Sequence, residues 1–345
     1  NGGCRLIMTK YKDIHGFQIE VRSDNPTNPV NGQVWYNTTT SKLRGNAKTT
    51  AGAFSTGGNM NLARSDLCSF GTQTSALVAG GGPADAPAEG VRTELYNGSS
   101  WTEVNDMNTG KASPRGLGAV NSAGFCVGGY GLEAASYALY ALVESWNGTS
   151  WTETTDMSEV RNQGTACGTV TSGLAFGGAQ ATAPTAKTET WNGTSWTEVG
   201  DMNTARAHMT GFGVSSGSAI GCMEGSTVNA ITELWNGTAW TEVNDLNTSR
   251  RQGGGGFGIA TSGLAFGGET PGAVNVANTE SWNGTSWTVE NALSTARRAT
   301  QGAGHGGNDS GLAAGGVGVG SPSQSNATEE WNGAGGDDVR DFDVS

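Results

Sequence analysis

Six arginines raise the first chemical question, because guanidinium groups at regular spacing could ring an anion. Arg161, Arg206, Arg250 and Arg297 each stand ten residues past a tryptophan, Trp151, Trp196, Trp240 and Trp287; Arg64 opens the series and Arg115 is displaced by a short insertion. Competing chemistry is thin. His15, His208 and His305 lie in separate parts of the chain, and no His-x-x-x-His, Cys-x-x-Cys or carboxylate cluster has ligand spacing. Neither a metal centre nor a cofactor is expected, and the chain is expected to be no enzyme.

The elements that position the arginines follow from a repeat. An aromatic residue before Asn-Gly recurs as Tyr96, Trp146, Trp191, Trp235, Trp282 and Trp331, at intervals of 44 to 50 residues. A period of this length marks an array of small β units. Five residues on, a second aromatic recurs at Trp101, Trp151, Trp196, Trp240 and Trp287. Asn-Gly between β-prone residues signals a hairpin, and alternation places both aromatics of a unit on one face. Upstream of each hairpin run two further strands. The first is glycine-rich, as in Gly253-Gly254-Gly255-Gly256-Phe257, which implies close approach of backbones; the second is apolar and ends on a doublet such as Gly177-Gly178.

An arginine before a small-residue strand, a Gly-Gly doublet, an acidic-aromatic strand, a turn and a tryptophan together resemble the kelch repeat. The resemblance implies an all-β fold, a six-bladed kelch-like β-propeller over residues 51 to 334, with a small N-terminal β-rich extension over 1 to 50 and an acidic tail over 335 to 345. It departs at Gly221-Cys222 and at Tyr96. The last unit lacks its second tryptophan, Gly336 standing there instead, while Phe54 occupies the corresponding place before Arg64. Residues 51 to 57 are therefore expected to supply the missing outer strand, since a ring with two open edges invites foreign pairing.

In such a propeller the arginines would ring one mouth of the central channel. The structural reading, pairing each with a backbone carbonyl or an acid such as Asp156, Asp201 or Asp245, is preferred to an anion-binding ring, because a feature present in every unit belongs to the frame. The histidine and tyrosine constellation of kelch-like copper oxidases is not found. Asn-Gly-Thr-Ser-Trp is similar to the aspartate-box turn of sialidases but lacks its Ser and Asp, so the expectation of no catalysis stands.

Composition narrows the partners. A net charge of −12 with only 14% charged residues disfavours nucleic acid, which rewards clustered cations. No apolar run approaches the ~18 residues that a membrane span needs. The cysteines scatter over different positions of the units and read as buried thiols rather than a disulfide framework. The Asn-Gly-Thr/Ser sequons are there for their turns. The absence of an initiator Met suggests a processed or trimmed start.

Near the start, Phe17 to Val21 and two runs within Gly32 to Arg44 read as strands, too few to build much of a core. Pro29-x-Asn31-Gly32-x-x-Trp35-Tyr36-Asn37-Thr38 with Leu43 resembles short modules of tailed-bacteriophage structural proteins, and the Gly/Ser/Thr/Asn-rich repeats resemble those of marine phage virion proteins. Val34, Trp35 and Tyr36 are the candidate anchor. The units differ most after the glycine doublet, where Tyr130, Leu132, Tyr137, Leu139, Tyr140 and Leu142 form an apolar candidate interface. The resemblance implies a virion component, a tail fibre or decoration protein, made in host cytoplasm and displayed on the particle. It would contact other virion proteins through residues 1 to 50 and host-surface glycan or protein through the propeller, with a homo-oligomer left open. The alternative is a cellular or secreted kelch-type interaction module.

Overall fold

The computed structural model describes residues 19–26, 33–48, 52–82, 90–131, 138–181, 183–223, 230–318, 323–333 and 337–342. The chain divides into two compact units, one of residues 51–333 and one built from both chain ends, 1–50 and 334–345.

Among the described residues the larger unit holds six four-stranded antiparallel sheets. One of them runs Thr165–Thr169, Ser172–Phe176, Thr188–Trp191 and Trp196–Glu198. Its hairpin turn is the four-residue loop Asn-Gly-Thr-Ser: Asn192 Oδ1 accepts the N–H groups of Thr194 and Ser195 at 2.9 and 3.0 Å, and Gly193 takes φ +95°. Asn caps the loop and glycine supplies the left-handed step. Trp191 and Trp196 face each other across the strands with ring centroids 5.4 Å apart.

The first strands of the sheets, Cys68–Thr72, Arg115–Val120, Thr165–Thr169, Thr210–Ser215, Gly255–Ile259 and Gln301–Ala303, lie side by side in that order, and the last lies beside the first. Among the described residues no sheet closes on itself; residues of all six first strands line one cavity of about 60 Å³. Small residues dominate here for a steric reason. A Cβ on Gly116 would sit 2.3 Å from the carbonyl oxygen of Ser69.

Tryptophans join neighbouring sheets. The indole N–H of Trp101, Trp151, Trp240 and Trp287 donates to the hydroxyl of Thr328, Thr93, Thr188 and Thr232 in the preceding sheet, at 2.9 to 3.1 Å. Each buried indole removes ~150–250 Å² from water, worth about 4–6 kcal/mol as an upper bound before ordering is counted. The sheet ending in Thr328–Asn332 receives its fourth strand from Ala53–Thr56, with Phe54 opposite Trp331.

The smaller unit is one sheet, in the order Glu20–Arg22, Val34–Asn37, Lys42–Lys48, Asp337–Phe342, its first pair parallel and the others antiparallel. Two expectations change here. The acidic segment is not simply a tail: Asp337–Phe342 forms a strand antiparallel to Lys42–Lys48, with Asp341 opposite Arg44 in register. The anchor trio also splits. Val34 and Tyr36 are more than a third exposed, whereas Trp35 is fully buried because side chains alternate along the strand.

Candidate functional site at the channel mouth

Five of the six arginines donate through Nη1 to backbone carbonyls, as expected, for example Arg206 to Ile231 at 2.9 Å and Arg250 to Gly267 and Asn278 at 2.8 Å, but their acidic partners are not the aspartates expected. Arg64, Arg161, Arg206, Arg250 and Arg297 donate through Nη2 to Oε1 of Glu94, Glu189, Glu233, Glu280 and Glu329 at 2.5 to 3.1 Å, none more than 4% exposed. Each glutamate lies on the third strand of the arginine's own sheet, two residues before the first aromatic. Its other oxygen takes a backbone N–H three residues upstream of the arginine, as Asn203 gives to Glu233 at 2.7 Å. The aspartates named from sequence do other work. Asp156 and Asp245 accept the N–H groups of Val143 and Thr232, and Asp201 lies 3.8 Å from Lys187.

Arg115 is not the sixth member. Lys111 fills that place, its Nζ 3.3 Å from Glu144, both side chains fully buried. The signal was in the spacing, since Lys111 stands ten residues past Trp101. Arg115 instead enters the channel wall, donating from Nε to the carbonyl of Gly164 at 2.7 Å and from Nη1 to that of Pro114 at 2.9 Å. With Ser69, Thr165, Met209, Thr210 and Gln301 it lines a cavity of about 50 Å³ at the entry ends of the six first strands.

Around this entry, two residues past each frame cation, stand Asp66, Ser113, Gln163, His208, Gln252 and Ala299. All are left-handed, with φ of 51 to 61°. The backbone links them into a collar: Asp66 N–H donates to Ala299 O, Ser113 to Asp66, Gln163 to Ser113, Ala299 to Gln252, and Gly253 to His208, at 2.8 to 3.4 Å. Non-glycine residues held there cost of order 1 kcal/mol or more each and concentrate at functional places.

Charge gathers at the same end. Glu269, 3% exposed, is shared by Arg251 at 2.9 Å and Arg298 at 2.8 Å. Burial pushes His208 down to about 4, with Arg115, Arg251 and Arg298 adding to the shift, so the imidazole is neutral at pH 7. Burial raises the Asp66 carboxyl, opposed by Arg115 and Arg298. The mouth thus combines guanidinium, amide and imidazole groups, suited to the hydroxyl and carboxylate groups of a polar ligand. Sequence reading missed Arg251 and Arg298, although both are the second member of an Arg-Arg doublet following the repeat.

The other candidate patch is weaker than its composition implied. Tyr130, Leu139, Tyr140 and Leu142 are half-buried, with Tyr130 bridged to Ala112 and Leu139; Leu132 and Tyr137 lie outside the described residues. Cys68, Cys126, Cys167 and Cys222 are buried free thiols.

No protein family profile matches the chain, and no curated relative matches it. Among solved structures it is similar to the structure of YjhT, with TM-score 0.67 and 10% identity over 83% of this chain and 100% of that one. The likeness supports a kelch-type, propeller-like fold. The expectation that the chain is no enzyme does not survive this comparison. The whole of YjhT aligns with this chain, and a propeller frame hosts catalysts as well as binders, so the motifs missing from the sequence do not exclude activity.

Proposed function

We propose that the six sheets are the blades of one closed propeller, completed by Ala53–Thr56, and that its channel mouth is a recognition site for glycan on a host surface. One observation carries this reading. Six equivalent left-handed positions hold Asp66, Ser113, Gln163, His208, Gln252 and Ala299, while the Arg/Lys–Glu frame directly beside them repeats. Equivalent positions that carry different residues on a repeating frame are what a binding site on a repeat scaffold requires.

In this reading the chain is a virion fibre or decoration protein. The virion placement rests on the sequence resemblance around Trp35. The small sheet is the attachment unit, contacting other virion proteins through Val21, Val34 and Tyr36, of which Val21 is 67% exposed. The test is a glycan array probed with the purified chain and with a variant carrying Arg251→Gln, His208→Gln and Arg298→Gln. Specific binding by the wild type, lost in a variant of unchanged fold, supports the reading. Equal binding by both, or no glycan retained by either, refutes it. Retained sugars are also examined for chemical change, which detects turnover.

A further inference from the structure

We propose that the channel entry holds a compact monovalent anion, of halide or small-carboxylate size, against the guanidinium of Arg115. The other buried cations of the series show by contrast what Arg115 lacks. Arg64, Arg161, Arg206, Arg250, Arg297 and Lys111 each have a glutamate oxygen within 3.3 Å. Arg115 is only 8% exposed, yet among the described residues no carboxylate forms an ion pair with it.

A guanidinium has five N–H donors. Nε and Nη1 of Arg115 each give one to a carbonyl, Gly164 and Pro114. No bond from Nη2 to a protein acceptor occurs among the described residues, and Arg115 lines the cavity of about 50 Å³. On this measure a cavity needs about 10–15 Å³ to hold one water, so there is room for a compact ion. The hydroxyls of Ser69 and Thr210, also in the wall, donate to the carbonyls of Gly302 and Gly254, which leaves Arg115 as the charged donor of the cavity.

The surrounding charges favour a single negative charge. Arg251 and Arg298 share one carboxylate, Glu269, and the opposing group is Asp66 at the collar, a partner that meets Arg115 only through the longer-range field. A buried cation without a close counter-ion is strongly disfavoured, and a small anion relieves that.

The inference is independent of glycan binding, and the probe is bromide. The full chain is melted in sodium bromide at ionic strength held constant with sodium gluconate, whose anion is too bulky to enter. Wild type is expected to show a saturable rise in Tm that Arg115→Met lacks and Arg115→Lys keeps in part. Crystals of the wild-type chain soaked in bromide are expected to show an anomalous peak in contact with Arg115, a result that does not depend on the variants folding. Acetate in competition identifies the source: displacement of bromide indicates a site for the carboxylate of a ligand, and indifference indicates an inorganic halide site; both support the proposal. The absence of a bromide peak at Arg115, or an equal bromide effect in Arg115→Met, marks an adventitious ion only and overturns it.

Discussion

The phenolic oxygen of Tyr96 donates to Oε1 of Glu330 at 2.5 Å, joining the first sheet to the last across 234 residues. Tyr96 stands where the other units have tryptophan. The neighbouring seam contacts are the Trp101 indole on Thr328 and the amide of Gln73 on the carbonyl of Trp331. The substitution is therefore specific to the seam between these two sheets, where a phenol reaches an acid that an indole would not.

Tyr96→Phe keeps the ring and removes this bond, and is expected to cost about 1 kcal/mol, because the partly exposed Glu330 regains water. Burial and the bond to Glu330 raise the Tyr96 hydroxyl to about 12. A raised folded-state value favours the fold below the ordinary value and loses that contribution as pH climbs through the raised one. The difference in melting temperature between wild type and Tyr96→Phe should hold up to about pH 10 and close between there and pH 12; a constant difference would contradict the assignment.

A second seam carries a defect. Trp196 Nε1 is buried without a partner, because Val143 occupies the place that Thr93, Thr188, Thr232 and Thr328 fill in other sheets. Val143→Thr supplies the missing acceptor, and its own hydroxyl can donate to the backbone as Thr232 does to Ala230. Stability is expected to rise by ~1 kcal/mol, and the reverse change Thr232→Val, which strands the Trp287 indole, to cost ~1–3 kcal/mol. Denaturant titration of both variants checks the pair.

The frame ion pairs predict a graded loss. Arg206→Ala strands Glu233 in a fully buried place and is expected to cost about 3–5 kcal/mol. Arg206→Lys should lose clearly less, because Lys111 already serves Glu144 in the same geometry. Equal losses in the two variants would show that the guanidinium fork, not the charge, holds the glutamate.

His208 reports on the mouth. Its value is depressed to about 4 by burial and by the guanidinium groups. The unfolded chain therefore takes up a proton first as pH falls, and stability is lost between about 6.5 and 4. His208→Gln should flatten the melting-temperature profile across that window, while an unchanged profile would place the acid sensitivity elsewhere.

The repeat was legible because period and turn chemistry are local: Asn192-Gly193 with Trp191 and Trp196 defines a hairpin without reference to the rest of the chain. The missing Trp after Trp331 and the extra Phe54 likewise pointed to a pairing of distant strands. The choice of acidic partner was not legible. Glu233 and Asp245 are both acids at repeating positions, and only the backbone path decides that Glu233 reaches Arg206. The mouth was hidden for a related reason, since Asp66, Gln163 and His208 share a backbone conformation but no residue type. The strand Asp337–Phe342 reads as an acidic tail until its pairing with Lys42–Lys48 is seen.

The mouth exists only if the ring is closed, so closure by Ala53–Thr56 is the claim on which the functional reading depends. Deleting residues 1 to 48 removes three strands of the small sheet but keeps the strand that pairs with Thr328–Asn332; deleting 1 to 58 removes that strand too, exposing the edge beside Trp331. Thermal melting of the two truncated chains against the full chain is the direct measurement. The account predicts that the shorter deletion leaves the propeller's transition near that of the full chain and the longer one lowers it sharply; if the two truncations melt alike, the ring is not closed in this way.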